Sequence, residues 1–143
     1  MRLQGAIFDG SGAVLDEKGN ALSGIDRTLS LLKMEDVWLY LVCDGDPDDV
    51  GADLEGGGVW KYFRGILSAA EHGGDPLDPE LYEKAVRRLR TAKQATLVFT
   101  AREELLFVLK KAGFYVALVG TGHSHQAVQL ADETIACYQD MTV

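Results

Sequence analysis

The first residues of chemical interest follow the first apolar run of the chain. In FDGSG (residues 8–12), Asp9 ends the run LQGAIF (residues 3–8), and Gly10 and Gly12 bracket Ser11. Glycines permit a sharp turn, so a strand here would deliver one carboxylate into a tight loop. A carboxylate in such a place is partly desolvated and costly unless another group compensates it. Asp9 and Ser11 are therefore the first candidates for a functional site.

Three other groups could do chemistry. Cys43 follows the run VWLYLVC (residues 37–43) and could be an activated nucleophile, but no histidine stands near it in sequence, which favours a buried inert thiol. His123 and His125 alternate as metal ligands can, but a third ligand is missing nearby, which favours exposed histidines before a helix. The acids of residues 44–55 lack the ordered spacing of an EF-hand calcium loop and are typical of a solvated helix start.

Strands must position these residues. Short apolar runs rich in β-branched and aromatic residues predict buried strands at 3–8, 37–43, 95–99, 114–120 and 133–138, with a small edge strand near 66–69. Helical patterns alternate with them at 23–34, around 48–54, and at 79–89, 102–113 and 123–131. This alternation predicts an α/β fold, a three-layer α/β/α sandwich around a mostly parallel sheet. Ligands of such sheets bind beyond the carboxyl ends of the strands, after Phe8, Val42, Phe99 and Gly120.

Composition limits the classes of function. The 143 residues fit one domain, 1–143, and the formal charge of −8 argues against nucleic acid as a partner. No apolar run approaches a membrane span, and no signal peptide precedes the first strand. Two cysteines without metal-ligand spacing indicate a reduced protein. Together these features predict a cytoplasmic protein that does not bind membranes.

The strand, the Asp and the glycine turn in a parallel α/β sheet resemble the haloacid dehalogenase (HAD) superfamily. The segment DPLDPELYEKAVRRLRTAKQATLVFTAREELLFVLKKAGFYVALVGTGHS is similar to the phosphoglycolate phosphatase-like branch, from its Lys-Pro-Asp-Pro motif onward. The resemblance implies a Rossmannoid sheet and a nucleophilic aspartate, with a second aspartate as general acid and base. It also implies a Ser or Thr and a Lys that hold the phosphoryl oxygens, and acids that bind Mg²⁺.

The residues depart from that pattern wherever charge matters. Asp9 fits the nucleophile, but Ser11 takes the place of the general acid and base and does not ionise near neutral pH. Cys43 takes the Ser/Thr position, Pro76 the Lys position, and Thr100 and Ala101 the position of the metal-binding acids. We therefore predict a pseudo-enzyme in which Asp9 is a vestigial nucleophile, with no cofactor. The alternative is a divergent Mg²⁺-dependent phosphohydrolase that uses Asp9, with metal ligands such as Asp44 or Asp46.

The branch also inserts a helical cap between its first two motifs, and here the interval has room for one hairpin and one helix. We expect a capless protein that binds a small anion, a protein partner or a second copy of itself. A structural subunit with a filled cleft is a further alternative. The aromatic cluster of residues 60–63 is a second candidate interaction surface, although core packing is the favoured explanation. For Trp38 we expect core packing.

Arg102 follows the missing metal acids directly. Its guanidinium is permanently charged and can grip a carboxylate through two hydrogen bonds. We hypothesise that Arg102 reaches Asp9, replaces the lost cation and lowers the pKa of Asp9. An Arg that points to solvent, or pairs with Glu103 or Glu104, is the favoured alternative, because exposed arginines usually stay solvated.

Overall fold

The computed structural model describes residues 2–141. Its centre is a six-stranded sheet in which every neighbouring pair is parallel, in the order β3-β2-β1-β4-β5-β6. The strands are β1 Gly5–Asp9, β2 Trp38–Cys43, β3 Ile66–Ser68, β4 Thr96–Thr100, β5 Tyr115–Val119 and β6 Glu133–Ile135. The order reverses at β1, so β2 and β4 flank the strand that ends in Asp9. The predicted sheet and its direction are confirmed.

Helices cover both faces of this sheet. They are α1 Gly10–Ala13, α2 Ile25–Met34, α3 Pro47–Gly56, α4 Pro79–Leu89, α5 Glu103–Lys111 and α6 His125–Leu130. The segments α2, α3 and Tyr138–Met141 pack on the face that carries Phe8, whereas α4, α5 and α6 pack on the face that carries Ile7. The predicted three-layer sandwich is therefore confirmed. No helix among residues 2–141 is long and apolar enough to cross a membrane.

Several predicted boundaries are wrong for local reasons. Helix α2 begins at Ile25 rather than at residue 23, because Gly24 has φ +83°, a left-handed conformation outside a helix. Strand β6 ends at Ile135, before Cys137, and the chain then turns so that the Tyr138 hydroxyl donates to the Ala13 carbonyl at 2.6 Å. That buried hydrogen bond fastens the end of the described chain to the turn after β1.

The interval between β1 and β2 contains little structure. Within residues 10–37 the chain forms the turn α1, a short hairpin-like bridge between Leu15 and Ala21, and helix α2. None of these described segments is a separate folded unit above the carboxyl end of the sheet. The cleft at that end is consequently open.

Candidate functional site: an arginine-clamped aspartate

Asp9 is the last residue of β1 and has no solvent-exposed surface. The chain leaves the strand through α1, where Gly12 adopts φ +83°. A Cβ at this glycine would lie 3.1 Å from the Cβ of Ala101, so the position needs glycine for both its conformation and its space. The small residues at 12 and 101 let the loops after β1 and β4 approach closely above Asp9.

Arg102 grips Asp9 with a bidentate fork. Its Nε donates to Oδ2 of Asp9 at 2.9 Å, and its Nη2 donates to Oδ1 at 2.8 Å. The hypothesis of an Asp9–Arg102 pair is therefore confirmed, and the favoured alternative of a solvated Arg102 is wrong. The reason is topological: β4 is the direct neighbour of β1, so the residue that precedes α5 lies beside the end of β1.

Two further donors complete the surroundings of Asp9. The Thr100 hydroxyl donates to Oδ2 at 2.8 Å, and the Ser11 backbone N–H donates to Oδ1 at 3.3 Å. Thr100 also accepts from the backbone N–H of Arg102 at 3.1 Å, which helps to fix the start of α5. Thr100 thus holds both partners of the ion pair. Each oxygen of Asp9 accepts two hydrogen bonds.

A second carboxylate shares the same guanidinium. Asp44, directly after β2, accepts from Nη1 of Arg102 at 2.9 Å and from Nη2 at 3.1 Å. Its side chain is 43% exposed, compared with 22% for Arg102. One arginine therefore bridges a buried carboxylate and a half-exposed one, and the three groups carry a net charge of about −1 when both acids are ionised. The sequence had indicated Asp44 only as an alternative metal ligand.

Burial dominates the electrostatics of Asp9. Desolvation raises its pKa, and the hydrogen bonds and charge of Arg102, together with Thr100 and Ser11, oppose this increase without cancelling it. The predicted lowering of the Asp9 pKa is therefore wrong, because complete burial outweighs one partly exposed cation. For Arg102, the hydrogen bonds and charges of Asp9 and Asp44 overcome desolvation and raise the pKa, so the guanidinium stays charged.

Tyr82 is a member of this site that sequence reasoning missed. It lies on α4, is fully buried, and its hydroxyl has no hydrogen-bond partner. Burial raises the pKa of Tyr82, and the charges of Asp9, Arg102 and Asp44 also act on its hydroxyl. Only the helical stripe of α4 could have indicated that Tyr82 faces the sheet, and that stripe does not distinguish a packing tyrosine from a functional one.

Ser11 and Cys43 differ in accessibility. The Ser11 side chain is exposed at the wall of the cleft, whereas Cys43 is buried at the end of β2. The Cys43 thiol donates weakly to the Gly45 carbonyl at 3.7 Å, and the Ser68 hydroxyl donates to the same carbonyl. Desolvation raises the pKa of Cys43 to about 11, so the group is a neutral thiol at neutral pH. This geometry agrees with the inert thiol that the sequence favours.

The histidines after β5 do not form a metal site. Glu103, at the start of α5, accepts from the Ser124 hydroxyl at 2.7 Å and contacts Nδ1 of His123 at 3.1 Å. Nε2 of His123 lies 2.8 Å from the carbonyl of Val119. Residues 2–141 contain no group of three or more acidic, histidine or cysteine side chains that could hold a metal ion. These contacts connect α5 to the loop before α6.

An open cleft lies above the ion pair. It has a volume of about 740 Å³ and is lined by Ser11, Gly12, Ala101, Arg102, Leu22 and the polar segment Asp16, Glu17, Lys18 and Asn20. Its walls come from the turn after β1 and from the loop after β4. The cleft is therefore not filled by side chains, as it would be in a purely structural subunit.

The residues present do not fit Mg²⁺. This ion takes carboxylate oxygens in octahedral geometry, and the family pattern supplies acids where this chain has Thr100 and Ala101. Both oxygens of Asp9 and both oxygens of Asp44 accept hydrogen bonds from Arg102. A dication would also be repelled by a guanidinium at hydrogen-bond distance from Asp9 and Asp44, whereas Asp46 accepts from the backbone N–H of Asp48 at the start of α3.

Comparisons with known proteins agree with the geometry. No family model and no curated protein matches the sequence. Among solved structures, an L-2-haloacid dehalogenase from Xanthobacter autotrophicus superposes with a TM-score of 0.80 at 11% identity, over 97% of this chain and 96% of that chain. YfnB from Bacillus subtilis, described as a HAD-hydrolase bound to magnesium, gives 0.85 at 11% identity, over 99% and 97%.

A third match is the β-phosphoglucomutase from Clostridium difficile, with a TM-score of 0.70 and 16% identity, over 85% of this chain and 52% of that chain. The chain therefore has the HAD-like hydrolase fold, as its first motif and sheet predict. Identities this low establish the fold alone. The closer similarity to the phosphoglycolate phosphatase-like branch stays a prediction.

Proposed function

We propose that this protein is a pseudo-phosphatase, a HAD-fold protein that has lost hydrolysis through Asp9 and uses its open cleft for binding. The observation that carries the proposal is the fork from Arg102 to both oxygens of Asp9. A carboxylate nucleophile needs a free lone pair directed at the phosphorus atom. Here that oxygen would first have to break a charge-assisted hydrogen bond to a cation that cannot deprotonate.

The missing proton donor supports the same conclusion. Ser11 exposes a hydroxyl to the cleft where the family pattern has an aspartate, and a hydroxyl cannot exchange protons usefully near neutral pH. Asp44 is the nearest other carboxylate, but Arg102 engages both of its oxygens. Neither Ser11 nor Asp44 is therefore a free group that could protonate the leaving group or activate water. With no fitting Mg²⁺ ligands, the transferring phosphoryl group would also lack charge neutralisation.

The binding role follows from the cleft. It stays open and carries charged side chains in its wall, and the described chain between β1 and β2 places no folded unit above it. We propose that a protein partner or a second copy of the chain covers this opening. We propose the cleft rather than the surface at residues 60–63 for this partner, since Phe63 is buried against Phe8, and Trp60 and Tyr62 pack in part against the same core.

A phosphatase assay tests the loss of activity. The wild-type protein and Asp9→Asn are incubated with p-nitrophenyl phosphate and Mg²⁺, and released nitrophenol is followed by absorbance. The account expects the same background rate from both proteins. A wild-type rate that disappears in Asp9→Asn would overturn the proposal, because it would require Asp9 as a nucleophile. A rate that persists in Asp9→Asn reports a contaminating phosphatase.

Sedimentation tests the binding role separately. A concentration-dependent increase in sedimentation coefficient is expected for the wild type, and a charge reversal in the cleft wall, Lys18→Glu, should weaken it. Lys111→Glu, on exposed α5 far from the cleft lining, is the matched control. A monomer at every concentration would remove self-association from the proposal and leave a separate protein as the partner.

A further inference from the structure

A second cavity lies at the opposite end of the sheet from Asp9. It has a volume of about 180 Å³ and opens beside Trp38, the first residue of β2. The other end of the same strand leads to Asp44, so the length of β2 separates this cavity from the arginine-clamped aspartate. Its walls combine aromatic rings with three cations and one carboxylate: Trp38, Tyr62, Phe63, Lys33, Lys61, Arg64 and Asp36.

The cations of this cavity have no carboxylate partner. Among the described residues, no salt bridge or side-chain hydrogen bond involves Lys33, Lys61 or Arg64, although the chain has 22 acidic and 14 basic residues. Arg64 instead lies over the Trp38 ring at 4.4 Å, and Lys61 lies 5.3 Å from the centre of the Tyr62 ring. Asp36 also lines the cavity, but its carboxylate pairs with Arg2 at 3.5 Å. The three unpaired cations outnumber it, so they create a local attraction for anions in an otherwise acidic protein.

Trp38 is not a core residue, contrary to the sequence-based expectation. It is 51% exposed, whereas Tyr40 on the same face of the strand is buried. Trp38 is the first residue of β2, and among the described residues it belongs to neither core cluster. Trp38 also lines a neighbouring cavity of about 430 Å³ that contains Arg2 and Arg90. A half-exposed indole between cationic side chains is a surface on which an aromatic ring can stack.

We propose that this cavity is a binding site for a small aromatic anion. A cavity of roughly 150 Å³ lined by apolar side chains can hold a benzene molecule, so about 180 Å³ accommodates a single ring. The ring packs against Val37, Leu39 and Phe63 in the interior, and the anionic group meets Lys61 and Arg64. Inorganic phosphate lacks the ring, and a neutral aromatic molecule lacks the charge, so neither satisfies both halves of the site.

Trp38 fluorescence measures occupancy of this cavity. In Trp60→Phe, Trp38 is the sole tryptophan of the chain, since the wild type has two. Phenylphosphonate, which is not a phosphate ester, is titrated into this variant, with inorganic phosphate and benzyl alcohol as separate titrants. The expected result is a saturable change with phenylphosphonate only. A response of equal affinity to phosphate or to benzyl alcohol, or no saturable response, would overturn the proposal.

Charge removal identifies the cations involved. Arg64→Ala and Lys61→Ala, each in the Trp60→Phe background, should weaken phenylphosphonate binding about tenfold. Lys111→Ala removes an exposed cation elsewhere and should leave the affinity unchanged. Unaltered thermal unfolding of each variant confirms that it folds. If Lys111→Ala weakened phenylphosphonate binding equally, the attraction would be non-specific, and the proposed site would be overturned. Trp38 fluorescence that changes with protein concentration in the absence of ligand would also overturn the proposed site. A second copy of the chain would then cover the cavity.

Discussion

Replacing Arg102 by alanine removes the cation from the centre of the cluster. Asp9 would keep the Thr100 hydroxyl and the Ser11 N–H, but it would lose both bonds of the fork. Asp44 would lose the same partner and turn to solvent, because its side chain is 43% exposed. The cost of the substitution therefore lies at Asp9, which has no exposed surface.

The size of this cost follows from burial. Removing one partner of a buried ion pair costs roughly 3–5 kcal/mol, because the other charge remains buried without compensation. Arg102 is 22% exposed, so water can replace part of its interaction with Asp9. Asp9 can also take up a proton, which limits the penalty. We expect Arg102→Ala to lower the free energy of unfolding by about 2–4 kcal/mol at neutral pH.

The loss of unfolding free energy in Arg102→Ala, called the deficit below, should depend on pH in a defined direction. Burial already raises the pKa of Asp9 above its ordinary value of 3.8, and loss of Arg102 removes the largest opposing cause and raises it further. A carboxyl group with a raised folded-state pKa contributes stability that is present below the unfolded-state pKa and is lost as pH rises through the folded-state pKa. The deficit of Arg102→Ala should therefore be largest at neutral pH and should shrink as pH falls toward 3.8.

Urea unfolding followed by circular dichroism measures these differences. Arg87→Ala is the matched control, since Arg87 pairs with Glu80 at 2.8 Å but both side chains are more than half exposed. That variant should lose only about 0–1 kcal/mol. Asp9→Asn combined with Arg102→Ala should be less destabilised than the sum of the single changes. A loss in Arg102→Ala no larger than in Arg87→Ala, or a deficit that grows as pH falls, would refute the reasoning.

Three further outcomes are expected. Tyr82→Phe should leave stability unchanged or increase it by up to about 1 kcal/mol, because the lost hydroxyl has no partner; a clear destabilisation in urea would show that the hydroxyl is bonded. The hydrogen bonds of Ser124 lower the pKa of Glu103 below 4.5, so its stabilisation is present above that pH and is lost as pH falls through the lower folded value. The free energy of unfolding of Glu103→Gln should then fall less steeply at acid pH than that of the wild type. The same fall in both proteins would contradict this. At about pH 8 a maleimide should modify the exposed cysteine but not Cys43, whose pKa is raised to about 11, until urea is added; rapid native labelling of both thiols by mass spectrometry would contradict it.

The sheet could be predicted from sequence because its signals are local. Buried parallel strands appear as continuous apolar runs, and each helix between them carries its own apolar stripe. The boundaries at Gly24 and Ile135 could not be predicted, because a positive φ angle and the contact between Tyr138 and Ala13 depend on the tertiary structure. A continuous apolar run also does not show which of its residues is exposed at the end of the strand. The sequence therefore predicts core packing for Trp38, which is exposed in the structure.

The site could be predicted in part. The resemblance placed Asp9, Thr100 and Arg102 at the ends of neighbouring strands, and the hydrogen-bonding capacity of arginine suggested the pair. Solvation of the guanidinium competes with that pair, and only the burial of Asp9 resolves the competition. The direction of the Asp9 pKa was wrong for the same reason, because sequence does not reveal how completely a strand end is desolvated. Tyr82 lay beyond prediction, since its role depends on the position of α4 against the ends of β1 and β2.

The central claim is that the Arg102 guanidinium occupies the place of the metal cation at Asp9. Isothermal titration of Mg²⁺ into the wild-type protein and Asp9→Asn tests it most directly. We expect indistinguishable titrations without saturable binding to Asp9, because Arg102 engages both oxygens of this carboxylate. Saturable Mg²⁺ binding by the wild type that Asp9→Asn abolishes would contradict the account.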